Sequence, residues 1–359
     1  MKKSNLQDSS CINTNKKINF LIVMLCSFCL LFSGKSSAQR RLSYVRDIPG
    51  YVQDMATTAF NEATMVLEAY PPTVNPGIER KLALTTLDVL FHDTRIDKGT
   101  AFMSHVKRVI GNVATELSKN KPTGRDLRIY RSYNLGYIIQ TASVTIAFDL
   151  VRGGSEDFQY ISDTLMRSIV DRCDILFITH SHDDHADVSV AKMFSDQGKK
   201  VIVPEELWND MPQLKVLRGT ATNTVREDIR IPHKNVTLTV RSYPGYQMPG
   251  DTPNNIYMVT VPEGRTIMHT GDQFGQYEPL FEEVNRNNMK VDILMTACAS
   301  NMKSLSTGVK PSLMLTGHEN ETEHPVDHRG SFWLSFHAMH DVQVPFIIMA
   351  WGETYLFKE

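Results

Sequence analysis

The sequence predicts an α/β sandwich, sheets covered by helices, with a helical region on its N-terminal side. Three observations carry that prediction. The 359 residues are 42% hydrophobic and 22% charged, the composition of an ordinary globular chain with material for a large core. From residue 40 to about 122, apolar side chains recur at spacings of three and four with little strand character. After Arg128, short apolar runs alternate with short helical segments, and no internal repeat or low-complexity stretch interrupts them. At about 100 to 200 residues per domain, this length fits one large domain or two smaller ones.

The first helix is expected over 50–69, stopped before Pro71 and Pro72. Pro76 and Gly77 open the second, whose apolar positions are Ile78, Leu82, Leu84, Leu87, Leu90 and Phe91. The third starts near Thr100, carries the stripe Phe102, Val106, Val109, Ile110, Val113 and Leu117, and is ended by Pro122 and Gly124. Met55, Met65 and Met103 in this region read as core filler. Tyr137–Gln140 and 143–148 look like paired strands, the second ending at Asp149. A helix over 161–170 precedes the apolar run 175–179, which ends abruptly in histidines. Beyond it come a helix over 188–197 and strands over Lys200–Val203 and 236–243. Segments 255–261 and Thr266–His269 read as a hairpin with Glu263 and Gly264 in the turn. A helix near 279–287 and strands over 292–296 and 312–316 complete the pattern.

The first 38 residues read differently. Lys16 and Lys17 precede the apolar run 18–32, and Ser36 and Ala38 stand three residues and one residue before a cut at Gln39. This is expected to be a secretory signal peptide, which places the protein outside the cell or in a periplasm. A run of about 15 residues falls short of the roughly 20 that a spanning helix needs, so no membrane span is expected after cleavage. Cys26 and Cys29 lie inside the run without the pattern of lipoprotein processing. The remaining chain has 33 basic and 39 acidic side chains, a net charge of -6, and no field to gather nucleic acid. A small molecule is the expected partner. Of five cysteines, Cys173 and Cys298 remain. One precedes the strand that runs into the histidines and the other follows the strand over 292–296. If those strands are parallel, the thiols lie roughly 15 to 17 Å apart at about 3.3 Å per residue, whereas a disulfide needs Cα atoms within about 7 Å.

The segment that carries chemistry is His180-Ser181-His182-Asp183-Asp184-His185, a quarter of all twelve histidines within six residues. A buried strand running into it sets imidazoles and a carboxylate at a strand's C-terminal end, where α/β proteins assemble their sites. His180 and His182, two apart, can face one side, and Asp184 and His185 in the following turn can reach a neighbouring position. Nitrogen and carboxylate oxygen suit zinc, and also iron or manganese.

This segment resembles the His-x-His-x-Asp-His signature of the metallo-β-lactamase superfamily, and the resemblance extends from about Leu127 to the C-terminus. Asp149 matches the aspartate that the superfamily places before the signature. Thr270-Gly271-Asp272 resembles its second aspartate motif, whose carboxylate bridges two metals, and Gly317-His318 the motif that supplies its last histidine. The arrangement looks most like the branch of lactonases and phosphodiesterases related to ascorbate-6-phosphate lactonase. The resemblance implies an αββα sandwich over 125–359 behind a helical region over 39–124, and one or two divalent ions, zinc foremost, with manganese or iron as alternatives. His180 and His182 would hold one ion, Asp184, His185 and His318 the other, with Asp272 between them. Asp149 and His269 would stand behind these ligands.

One expected ligand is missing. The superfamily usually has a further histidine before the hairpin that leads to Gly271, where this chain reads Tyr243-Pro244-Gly245-Tyr246-Gln247-Met248. Gln247 and Tyr246 are the candidates for a substitute ligand or a substrate contact, with His233 a more distant one. For the last histidine His318 is preferred to His324 and His328, because it directly follows an apolar strand. Glu319, Glu321 and His324 either line the mouth of the site or belong to a solvated loop. The expected function is an exported metal-dependent hydrolase. Metal-activated hydroxide would attack an ester, lactone, amide or phosphodiester, and Asp184 would also carry a proton to the leaving group. The alternative is a non-catalytic metal- or ligand-binding protein with a degenerate site.

Overall fold

The computed structural model describes residues 47–358 apart from 120, 156, 206, 218–223, 248–251 and 276. The signal peptide expected over 1–38 lies outside the described residues. The chain divides into two compact units, Met1–Val52 and Gln53–Glu359. The described part of the first is the opening of a helix, where Gly50 N–H donates to Asp47 Oδ1 at 3.0 Å. No helix among the described residues is long and apolar enough to cross a membrane.

In chain order the elements begin with three helices, α1 (Ile48–Ala69), α2 (Ile78–Phe91) and α3 (Thr100–Leu117). There follow β1 (Leu127–Arg131), β2 (Tyr137–Gln140), β3 (Thr145–Phe148), the short pair β4 (Gly154–Ser155) and β5 (Phe158–Gln159), and α4 (Asp163–Val170). Then come β6 (Ile175–Phe177), α5 (Val188–Ser195), β7 (Lys200–Val203) and β8 (Lys215–Val216). The second half holds β9 (Val225–Ile231), β10 (Val236–Tyr246), β11 (Pro253–Thr260), β12 (Thr266–His269), α6 (Glu278–Arg286), β13 (Ile293–Ala297) and α7 (Met302–Val309). It closes with β14 (Leu313–Gly317), α8 (Phe332–Ala338), β15 (Phe346–Ile347) and β16 (Thr354–Phe357).

Two seven-stranded sheets result, ordered β16-β1-β2-β3-β6-β7-β8 and β15-β14-β13-β12-β11-β10-β9. Each mixes an antiparallel part with a parallel part. β3, β6 and β7 run parallel in the first sheet, and β12, β13 and β14 in the second. The apolar faces meet in one core, with Ile129, Ile139, Phe148 and Phe177 on one side and Val240, Tyr257, Ile267 and Met295 on the other. Helices α6 and α7 cover the outer face of the second sheet through Leu280, Val284, Met302 and Leu305. Strands buried on both faces are apolar throughout, and this is why β6, β13 and β14 read as continuous runs rather than alternating ones. Parallel strands also bring their C-terminal ends to one edge. Asp149, Thr179, Thr270 and His318 all follow such strands.

The hairpin expected from Glu263 and Gly264 is β11–β12, with Gly264 at φ +77°. Cys173 and Cys298 are buried free thiols. Other expectations are corrected. Met55 and Met65 are exposed, because the buried stripe of α1 is Ala56, Phe60, Ala63 and Leu67, one step around the helix. Ile78 and Leu82 also face outward. The buried face of α2 instead includes Arg80 and Asp88 beside Leu84, Leu87 and Phe91. Arg80 is paired with both carboxylate oxygens of Glu353 at 2.6 Å. Buried charge on a helix defeats a purely apolar reading of its face. Elements β1, β4, β5, β8, β9, α7, α8, β15 and β16 were not expected from the apolar pattern.

Candidate metal centre

The stretch after β6 is held at both ends. Ile178 N–H donates to Ile202 O on β7 at 2.9 Å, and Asp187 caps α5 by accepting from Ser189 and Val190 N–H at 2.9 and 3.2 Å. Between them, His185 and Ala186 N–H both donate to His182 O, at 2.9 and 2.8 Å. This tight turn returns Asp184 and His185 towards the strand's end. Asp149, at φ +44° after β3, accepts from Thr179 N–H at 2.8 Å, from the Thr179 hydroxyl at 2.7 Å and from His185 Nδ1 at 2.9 Å. A carboxylate against Nδ1 fixes a proton on that nitrogen and makes Nε2 the one available to an ion. Burial pushes the Asp149 carboxyl up, but the hydrogen bond and charge of His185 outweigh it and hold it below the usual range. His269 packs into the core behind, its ring stacked on Phe148 at 5.2 Å and its Nε2 3.1 Å from Leu135 O.

The other ligand candidates arrive from the second sheet. Gly271 has φ +56°, and a Cβ there would lie 2.2 Å from Asn254 Oδ1, so glycine is required before Asp272. His318 follows β14 at φ +66°. Its Nε2 lies 3.1 Å from Oδ2 of Asp184 and of Asp272, and His185 Nε2 lies 3.4 and 3.3 Å from the same two oxygens. One ligand atom from each of Asp184, His185, Asp272 and His318 falls within 4.8 Å of the others. Burial acts to lower His185 and His318, yet the two carboxylates draw both well above the ordinary imidazole value. Asp184 and Asp272 are held well below theirs, burial opposing and the imidazoles prevailing. Asp272 Oδ1 is buried with no hydrogen-bond partner among the described residues. A buried, anion-rich set of two carboxylates and two imidazoles facing one point fits a borderline divalent cation. Asn134, in the turn between β1 and β2, donates to Asp184 O and Oδ2 at 2.9 and 3.0 Å and so orients that carboxylate. No spacing in the sequence singles Asn134 out.

The His180 ring lies 4.2 Å from that of His185 and 4.8 Å from that of His182. Burial, with His185 beside it, pushes His180 down to about 3. Gln247 Nε2 lies 3.0 Å from His180 Nε2, 3.0 Å from His182 Nδ1 and 3.3 Å from Asp272 Oδ2. Tyr246, the last residue of β10 and one step out of phase, is half-buried and does not line the cavity. His233 lies at the opposite end of β6, paired with Asp174 at 2.9 Å.

Residues 319–322 are not solvated. Glu319, Asn320 and Glu321 are 0% exposed. Glu319 pairs with Arg131 of β1 at 2.6 Å, both side chains fully buried. Glu321 accepts from Tyr133 Oη at 2.6 Å and from Glu323 and His324 N–H at 2.8 and 2.7 Å. It also holds His324 Nδ1 at 2.6 Å. The helices pin the same loop. Asp88 of α2 accepts from Asn320 Nδ2 at 2.8 Å and from Phe332 and Trp333 N–H at 2.7 and 3.0 Å. Arg329 reaches both carboxylate oxygens of Asp97, at 3.0 and 2.6 Å. The centre opens on a cavity of about 550 Å³ lined by Gln247, Phe274, Cys298, His318, His324 and His328, among others.

No curated protein sequence matches the chain. Among solved structures it is similar to Igni18, a metallo hydrolase from the hyperthermophilic archaeon Ignicoccus hospitalis, at 14% identity over 65% of this chain and 99% of that one, with a TM-score of 0.46. Isothiocyanate hydrolase from Delia radicum gut bacteria gives 14% identity over 64% and 99%, with a TM-score of 0.46. CmlA, a diiron β-hydroxylase from Streptomyces venezuelae, gives 13% over 67% and 55%, with a TM-score of 0.45. Residues 125–312, just over half of the chain, match the model of a beta-lactamase superfamily domain, and the chain belongs to the metallo-β-lactamase superfamily.

Proposed function

We propose that the protein is an exported hydrolase that uses a divalent ion, zinc foremost, to cleave an ester, lactone, amide or phosphodiester bond in a small molecule. The observation that supports it most is the convergence of Asp184, His185, Asp272 and His318, the last two of which line a cavity. A divalent ion held by these four supplies Lewis acidity and lowers the pKa of a water at neutral pH. The protein's own groups do the rest. Asp149 fixes the His185 ring, Asn134 fixes the Asp184 carboxylate, and Asp184 takes the attacking water's proton and passes it to the leaving group. His324, held by Glu321, lines the same cavity as Gln247 and would orient the leaving group. The test is turnover of a panel of esters, lactones, amides and phosphodiesters by metal-reconstituted protein. Turnover that chelation and Asp184→Ala both abolish is the expected result, and metal binding without turnover on any of them favours the binding-protein alternative. Export is supported by Lys16, Lys17, the apolar run 18–32 and Ser36 and Ala38. Intact mass of protein from the host envelope should begin at Gln39, and a retained Met1 would refute it.

A further inference from the structure

We propose that the centre takes a single divalent ion, at Asp184, His185, Asp272 and His318, and that the Gln247 carboxamide fills the place of a second ion between His180 and His182. This rests on the metal-dependent reading above and concerns how that site is built.

A chain of hydrogen-bond polarities orients the amide. The Asp149 carboxylate can only accept, so the Thr179 hydroxyl 2.7 Å from it must donate. With its one proton spent, Thr179 Oγ1 can only accept from His180 Nδ1, 3.0 Å away. His180 therefore carries its proton on Nδ1 and turns a lone pair outward from Nε2. That lone pair, the one a metal would use, faces Gln247 at 3.0 Å. An amide oxygen there would set two lone pairs against each other, so the group facing His180 is the NH2. With the NH2 so placed, His182 Nδ1, 3.0 Å from it, can only accept, which puts the His182 proton on Nε2, 3.1 Å from Thr252 Oγ1. Asp272 Oδ2, 3.3 Å from Gln247 Nε2, is a third acceptor on the same group. The two protons of one NH2 thus answer the two imidazole lone pairs that a second ion would have used, with Asp272 Oδ2 the longer third contact.

The position is built rather than incidental. Gln247 is buried, and its N–H donates to Thr252 O at 3.2 Å. Two residues earlier, a Cβ at Gly245 would lie 2.3 Å from Gln273 Oε1, so glycine lets β10 run close against the Asp272 turn. Turning the amide over would offer only a neutral oxygen, a weaker partner for a zinc-like ion than imidazole.

The test is stoichiometry, read without any substrate. Chelator-stripped full chain is titrated with Zn²⁺ alone by calorimetry, and ions per chain are counted by mass spectrometry after gel filtration. One binding step and one ion per chain are expected for the wild type. Gln247→His and, separately, Gln247→Glu should each add a second step and a second ion. The paired change His180→Ala with His182→Ala should keep one. Two ions in the wild type overturn the proposal and leave the hydrolase reading standing, whereas no ion at all overturns both. A single ion in the wild type that is lost on changing His180 and His182, in protein with an unchanged circular-dichroism spectrum, also overturns it.

Discussion

The two sides of the centre are built by opposite means. On one side, 180–185 follow a single buried strand, and one tight turn delivers three histidines and a carboxylate within six residues. On the other, His318 and His324 sit in a loop whose shape depends on groups far away in sequence: Arg131, 188 residues from Glu319, and Asp88, 232 residues from Asn320. The first side is specified locally and the second by tertiary pairing. Ligand chemistry is therefore readable from sequence where one element supplies it. Where several elements must agree, the position of a ligand depends on stability elsewhere.

The largest expected effect sharpens that comparison at the ligands. Asp184→Ala with His185→Ala should remove the ion to below detection by elemental analysis, while His180→Ala retains most of it. Equal loss in both would sink the asymmetry. A next effect tests the distant supports. Arg131→Ala strands the buried Glu319 carboxylate, and breaking such a pair costs about 3 to 5 kcal/mol, readable as a lowered denaturant midpoint. An unchanged midpoint would show that the loop after β14 does not rely on β1.

The smallest effect concerns pH. Burial, then the neighbouring Glu321 charge, pushes the Glu323 carboxyl up to about 7, against about 4.3 in a free chain. The folded state therefore holds a proton that the unfolded state has already lost, so stability is fully present below about pH 4.3 and falls as pH rises through about 7. The loss should be on the order of 1 to 2 kcal/mol after allowance for solvent. Glu323→Gln should flatten that slope in urea unfolding between pH 5 and pH 8, and an identical slope in the variant would exclude Glu323 as its source.

Much of the fold was legible because strands buried on both faces are apolar throughout and helices carry one stripe. The histidine cluster was legible because its ligands are contiguous, and Asp272 because Thr270-Gly271-Asp272 resembles the superfamily's second aspartate motif. Gln247 could be named only as what stands where a histidine was expected. Its contact with both imidazoles depends on how β10 ends beside β12. The buried loop after β14 was hidden by its own composition. Glutamates and asparagines read as solvated until their partners are known, and those partners, Tyr133, Arg131 and Asp88, stand in other elements. The same blindness assigned Ile78 and Leu82 to the core of α2 when Arg80 and Asp88 had taken that face.

The last strand carries a consequence for the order in which the molecule assembles. β16 pairs with β1, joining Leu127 to Phe357 across 230 residues. A ribosome must therefore release nearly the whole chain before the strand that bears Arg131 gains its outer neighbour. Until then that strand is an open edge, with unpaired amides and carbonyls ready to join another chain. Pairings this far apart are slow to form. The nascent protein thus spends its longest vulnerable interval with the anchor of its metal-site loop at an unprotected border.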